Sequence, residues 1–119
     1  MRVLNRNADT VIPDVEPKTG VVEKMLGLRF RRSGRALFSF ARPTRSPIDM
    51  FLVPRPLDIA FLDENLEVME IHGAHPVTAN PATWRVYRPE EPYRYALEVE
   101  AGLLPSRGFD IGHDLHLLA

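Results

Sequence analysis

The sequence predicts a mainly β, β-rich α+β single domain with one or two short helices, small and barrel-like or sandwich-like in form. Three observations predict it. Several short stretches alternate apolar and polar residues with period two, the signature of half-buried strands. Eleven prolines and seven glycines break the chain at short intervals, as in small barrels and sandwiches. A length of 119 residues with 45% hydrophobic content suffices for one real core and not for two domains. The expected organisation is an N-terminal strand and extended arm over 1–18 and one compact β-rich domain over 19–119.

The elements follow in order. Met1 to Leu4 reads as a short strand. Asn5 to Lys18 carries two prolines and three acids with few large apolar residues, and reads as loop or extended arm. Thr19 is a helix N-cap candidate. Val21, Val22, Met25 and Leu26 recur at helical spacing, and Gly27 is placed to stop that helix. Ala36 to Phe40 alternates as a strand. Ile48 to Val53 is a further strand candidate. Pro54 and Pro56 force a bend after it. Leu57, Ile59 and Phe61 share one face of the next strand, which turns at Asp63-Glu64-Asn65 into a hairpin partner over Glu67 to His72.

Gly73 to Ala82 is irregular, and Thr83 to Arg88 is a short strand candidate. Tyr93 to Glu100 alternates cleanly, with Tyr93, Tyr95, Leu97 and Val99 inward and Arg94, Glu98 and Glu100 outward. Ala101 to Arg107 forms one helical turn, and Phe109, Ile111 and Leu115 to Leu118 close the chain with a final strand.

Composition excludes several chemistries. With no cysteine there is no disulfide, thiolate metal site, Fe–S cluster or cysteine nucleophile. Such a sequence fits a reducing compartment. The first ten residues are charged and amide-rich, unlike a signal peptide. The longest apolar runs are about five residues, far short of the roughly 20 that a spanning helix needs. The expected location is cytoplasmic, with no membrane partner.

Net charge is −1, but the charges are segregated. Residues 24–55 carry +7, residues 56–119 carry −7 and residues 1–23 carry −1. Such asymmetry can mark a nucleic-acid or phosphate surface, yet a pI of about 6.4 lies well below that of a basic binding domain and argues against nucleic acid. Pairing of the two halves within one fold, or plain solvation of both faces, is the simpler account.

The residues able to carry chemistry are few. His72 and His75, and His113 and His116, form two pairs three residues apart. Neutral imidazoles are metal ligands, but residues three apart on a strand face opposite sides, so surface or hydrogen-bonding roles are favoured and no metal is expected. Asp58 stands alone between apolar neighbours. It suits a general base less well than the cap of a bend or the partner of Arg29 or Arg55. No serine sits in a nucleophile elbow. No Walker or Gly-x-Gly-x-x-Gly loop cradles phosphate, and no cofactor is expected. Arg29, Arg31, Arg32 and Arg35 offer an anion patch or a solvated edge. Trp84 and the tyrosines Tyr87, Tyr93 and Tyr95 suit a core or core rim better than a stacking platform.

Three ordered motifs then carry a resemblance. Gly27-Leu28-Arg29-Phe30-Arg31, Pro56-Leu57-Asp58-Ile59-Ala60-Phe61-Leu62-Asp63 and Ala96-Leu97-Glu98-Val99-Glu100-Ala101-Gly102 resemble the signature stretches of the family known as domain of unknown function 192. The likeness covers about residues 19 to 118. It implies a compact β-barrel-like domain of unknown biochemical role, and carries over no activity.

Two stretches depart from the family pattern. Where many members read Trp-Met-Lys-Asn-Thr, this chain has Asp49, Met50, Phe51, Leu52 and Val53, so a polar trio suited to a ligand site is apolar here. Gly108 to Gly112 resembles the opening of a glycine–aspartate turn of cradle-loop barrels, but His113 stands at the aspartate position and Asp114 follows it.

The favoured function is a non-enzymatic binding or accessory domain for a small ligand, a protein or an anionic partner. It predicts one open groove lined by Arg29, Met50, Asp58 or Trp84. A small hydrolase or metal-dependent enzyme is the alternative, and needs at least two of His72, His75, His113 and Asp58 within bonding reach. An oligomerisation module, exposing the Ile48–Val53 strand, is the third reading.

Overall fold

The computed structural model describes residues 1–119. Its strands are β1 (Arg2–Asn5), β2 (Thr10–Ile12), β3 (Val15–Lys18), β4 (Arg35–Thr44), β5 (Ile48–Asp49), β6 (Leu57–Leu62), β7 (Val68–Ala74), β8 (Val86–Tyr87), β9 (Tyr93–Glu100) and β10 (Leu115–Leu118). Two short helices, α1 (Val21–Leu26) and α2 (Leu103–Ser106), complete it. The domain is thus mainly β with two short helices, as the alternation predicts.

The strands form a five-stranded sheet ordered β3-β4-β9-β6-β7, a three-stranded sheet β10-β1-β2 and the pair β5-β8. The sheets do not close into a barrel. The pairings are antiparallel except β3 with β4. Parallel neighbours need a crossover, and α1 supplies it.

Central position explains the burial of β6 and β9. Each is paired on both edges, and each face of the sheet carries a core. Leu57, Ile59 and Phe61 enter one core with Phe38, Tyr93 and Ala96. Ala60 and Leu62 enter the other with Val3, Ile12, Val15, Leu97 and Leu104. Each large side chain so buried contributes roughly 1.5–3 kcal/mol. The hairpin turn forms at Asp63, whose Oδ1 accepts the N–H groups of Asn65 at 2.8 Å and Glu67 at 3.0 Å.

Several local expectations fail, each for a physical reason. Residues 5–18 are not a loop: β2 and β3 lie there, and Ile12 and Val15 are fully buried. Only Ile48–Asp49 of the expected 48–53 strand is a strand. Asp49 Oδ1 accepts the Phe51 N–H at 2.9 Å and Val53 N–H donates to Met50 C=O at 3.1 Å, which curls the chain into a turn. Over 83–88 only Val86–Tyr87 is strand, because Asn80 caps a 3-10 turn at Pro81–Thr83. Gly20, not Thr19, is the N-cap of α1, with Glu23 reaching back to its N–H at 3.3 Å.

Gly27 ends α1 as expected, at φ +49° with its N–H on the Glu23 carbonyl. A Cβ there would lie 3.1 Å from the Phe38 ring, so the stop requires glycine twice over. The helix buries none of its residues, and Val21, Val22 and Met25 are each about two-thirds exposed or more.

Candidate functional site

The stop at Gly27 delivers Leu28 into the core and swings Arg29 towards β5. Arg29 Nη1 and Nη2 donate to Asp49 Oδ1 and Oδ2 at 2.7 and 2.9 Å. Its Nε donates to Met25 C=O at 2.9 Å, and Nη1 also donates to Phe51 C=O. Four of the five guanidinium N–H groups are thereby spent inside the protein. The pair raises the Arg29 pKa and holds the Asp49 carboxyl below the usual carboxylate range, chiefly through the hydrogen bonds between them. A second clip joins the same segments: Phe30 N–H donates to Leu52 C=O at 2.7 Å. Both residues take left-handed conformations, with φ of +61° and +63°.

Between these segments and the main sheet lies an open cavity of about 590 Å³, within the range of small-ligand sites. Its wall is largely apolar: Leu26, Leu28, Phe38, Phe40, Ile48, Leu52 and Val53 line it with Lys24, Arg29 and Asp49. Lys24 Nζ is held by the Ser39 carbonyl at 3.1 Å and lies 4.3 Å over the Phe40 ring. Tyr93, fully buried, donates its hydroxyl to Ser46 C=O at 2.6 Å.

Glu98 also lines the cavity, only 4% exposed. It stands on β9 opposite Ala36 of β4 and Ile59 of β6. No protein group donates a hydrogen bond to its carboxyl. Burial pushes its pKa up to about 8, against the partial relief of the Arg29 and Arg55 charges. Isolated in this way, the carboxyl holds its proton at neutral pH, able both to donate and to accept.

The residues singled out in the sequence divide. Arg29 lines this cavity. Met50 is buried in the core beneath it. Asp58 belongs to the other face, where its Oδ2 accepts the N–H groups of Gly102 at 2.9 Å and Leu104 at 3.2 Å and so caps α2. Trp84 lines a neighbouring cavity of about 620 Å³ that shares Asp49 and Phe51 with the first. Its Nε1 donates to Thr78 C=O at 2.8 Å.

The histidines do not meet. His72 Nε2 bonds Glu70 at 2.8 Å, His113 Nδ1 lies 3.1 Å from Asn5 Nδ2, and His116 Nδ1 lies 2.7 Å from Arg6 Nη2. No three His, Asp or Glu side chains converge as metal ligands do. The Gly108–Gly112 turn is braced by Asp110, whose Oδ1 accepts the Ile111 N–H at 2.7 Å, while the Asp114 N–H donates to Asn7. The segregated charges pair in part: Arg35 holds Glu100 bidentately at 2.7 and 3.0 Å, and Arg31 holds Glu16 at 2.6 Å.

Glu98 corrects the reading of β9, which placed it outward. Alternation assigns residues to a face but does not say that both faces are covered. The available signal was its position inside Ala-Leu-Glu-Val, a polar residue in an apolar run.

The model of the DUF192 family, described as an uncharacterised ACR, matches residues 3–117, and the chain belongs to that family. A UPF0127 protein of Pyrococcus horikoshii is 32% identical over 88 residues, covering 71% of this chain and 70% of that relative. Two crystal structures share the fold. A protein of unknown function from Novosphingobium aromaticivorans matches with TM-score 0.82 at 22% identity, over 98% of this chain and 83% of that one. A protein described as a candidate transcription regulator from Sinorhizobium meliloti matches with TM-score 0.80 at 24% identity, over 97% and 91%. The family's function is unknown, and no helix of the chain is long and apolar enough to cross a membrane.

Proposed function

We propose that this DUF192 member is a non-enzymatic binding domain, and that the cavity between α1, β5 and β9 takes a small ligand with an apolar body and a polar head. One observation carries the reading: the Glu98 side chain, 4% exposed, lines a largely apolar cavity and has no hydrogen-bond partner from the protein. A carboxyl so poorly hydrated gains from a ligand that hydrogen-bonds to it. The Asp49–Val53 stretch, which departs from the family pattern, supplies four of the lining residues, consistent with a pocket of particular specificity.

A binding role is favoured over catalysis because Glu98 has no acid–base partner within bonding reach. His72, His75, His113 and Asp58 likewise make no hydrogen bond to one another. We place the protein in the cytoplasm, a reading supported by its cysteine-free sequence.

The test uses the uncharged fluorophore N-phenyl-1-naphthylamine. Saturable one-site enhancement, lost in Leu52→Asp, is expected. Enhancement that does not saturate, or that Leu52→Asp leaves unchanged, would remove the cavity as a binding site.

A further inference from the structure

The apolar wall says that a ligand has an apolar body; the polar atoms say which head it carries. Arg29 is no anion receptor, because Asp49 neutralises it bidentately and the Met25 and Phe51 carbonyls take further N–H groups. Lys24 is engaged by the Ser39 carbonyl and the Phe40 ring. The Tyr93 hydroxyl donates its hydrogen bond to the Ser46 carbonyl. The carboxyl of Glu98, 4% exposed and lining the cavity, has no hydrogen-bond partner from the protein. Phe38, Phe40 and Tyr93 add aromatic surface, which favours a cation over an anion.

Resting on the binding reading above, we propose that the cavity takes a small organic cation, a primary ammonium ion on an apolar body, with the ammonium group seated on Glu98. The apolar body then lies along Leu26, Leu28 and Leu52. The charged groups acting on Glu98 are Arg29 after α1, Asp49 of β5 and Arg55 before β6, and Tyr93 of β9 feels its charge in turn. Arg29 and Asp49 cancel, Lys24 and Arg55 bring positive charge nearby, and Glu98 is the one acidic group of the site without a partner.

Seating the cation has a proton cost that can be read directly. In the free protein at neutral pH the Glu98 carboxyl is protonated. An ammonium ion that enters pairs with the carboxylate, and the carboxyl proton leaves to solvent. Binding at pH 7 therefore releases close to one proton, and binding at about pH 9.5, where Glu98 is already ionised, releases close to none.

The experiment is isothermal titration calorimetry with three eight-carbon ligands, octylammonium, 1-octanol and octanoate. Octylammonium is measured at both pH values in two buffers of different ionisation enthalpy. The proposal expects octylammonium to bind roughly tenfold or more tightly than 1-octanol and octanoate most weakly. It also expects proton release at pH 7 only. Glu98→Gln, folded as judged by its thermal transition, loses both the preference and the release. Equal affinities, or a preference for octanoate, would overturn the ammonium assignment, as would release unchanged in Glu98→Gln. If none of the three binds while N-phenyl-1-naphthylamine does, the assignment falls and the cavity reading stands. If the fluorophore fails as well, both fall.

Discussion

Arg29 and Asp49 are joined by two parallel N–H···O bonds of 2.7 and 2.9 Å, and the pair stands beside Glu98 without bonding to it. Burial pushes the Glu98 carboxyl up to about 8, with the Arg29 and Arg55 charges relieving it only in part, whereas the hydrogen bonds from Arg29 hold the Asp49 carboxyl below the usual range.

The two carboxyls act on stability with opposite sign. Asp49 ionises more readily folded than unfolded, so its contribution is present above its ordinary pKa and is lost as pH falls through the folded value. Glu98 is the reverse. Below its ordinary 4.5 it is protonated in both states, and from there to about 8 the folded state alone holds the proton. Its contribution is thus fully present below 4.5 and lost as pH rises to about 8, by an amount of order 5 kcal/mol. Urea unfolding at pH 5 and at pH 9 checks this: wild type loses more stability between the two than Glu98→Gln does.

Arg29→Met leaves Asp49 without its fork and frees two carbonyls. Both side chains are partly solvated, so the expected loss is modest, about 1–2 kcal/mol. Arg29→Lys recovers only part of it, since an ammonium group cannot reproduce the planar fork. Removing the Arg29 charge also raises the Glu98 pKa further. Denaturant midpoints of the three proteins give the ranking.

Asp58 is a brace and not part of the cavity. Asp58→Ala leaves the buried Leu104 N–H without its acceptor and costs about 2 kcal/mol. Asp58→Asn keeps one carbonyl acceptor and costs less. Neither change alters octylammonium affinity in calorimetry at a temperature where the protein is folded.

Leu52 holds φ +63° and is 44% exposed on the cavity wall. A leucine in the left-handed region costs about 1–2 kcal/mol, which glycine relieves while adding chain entropy. Leu52→Gly is expected to leave the thermal midpoint unchanged or slightly raised. Its affinity for octylammonium falls several-fold, because the apolar wall is lost. Paired thermal and calorimetric measurements separate the two effects.

The sequence makes some of this plain and hides the rest for definable reasons. β6 and its hairpin are legible because alternation, the Pro54–Pro56 bend and Asp63 agree. The first helix is legible from its spacing and from Gly27. β2 and β3 are not, since three or four residues with flanking prolines carry almost no pattern, and β3 is a strand only through its parallel partner β4. Phe51 and Leu52 read as strand because they are apolar, whereas one hydrogen bond from the Phe51 N–H to Asp49 sets a turn there. In the site, Arg29 was visible by its motif. Glu98 was hidden because a strand's period reveals neither its neighbours nor what covers them.

The most direct measurement is the side-chain carboxyl carbon shift of Glu98, followed by NMR across pH 3 to 10 with and without octylammonium. A midpoint near pH 8 that falls when octylammonium is added is the predicted result. A midpoint close to the ordinary 4.5 that the amine does not move would contradict both the isolated carboxyl and the site built on it.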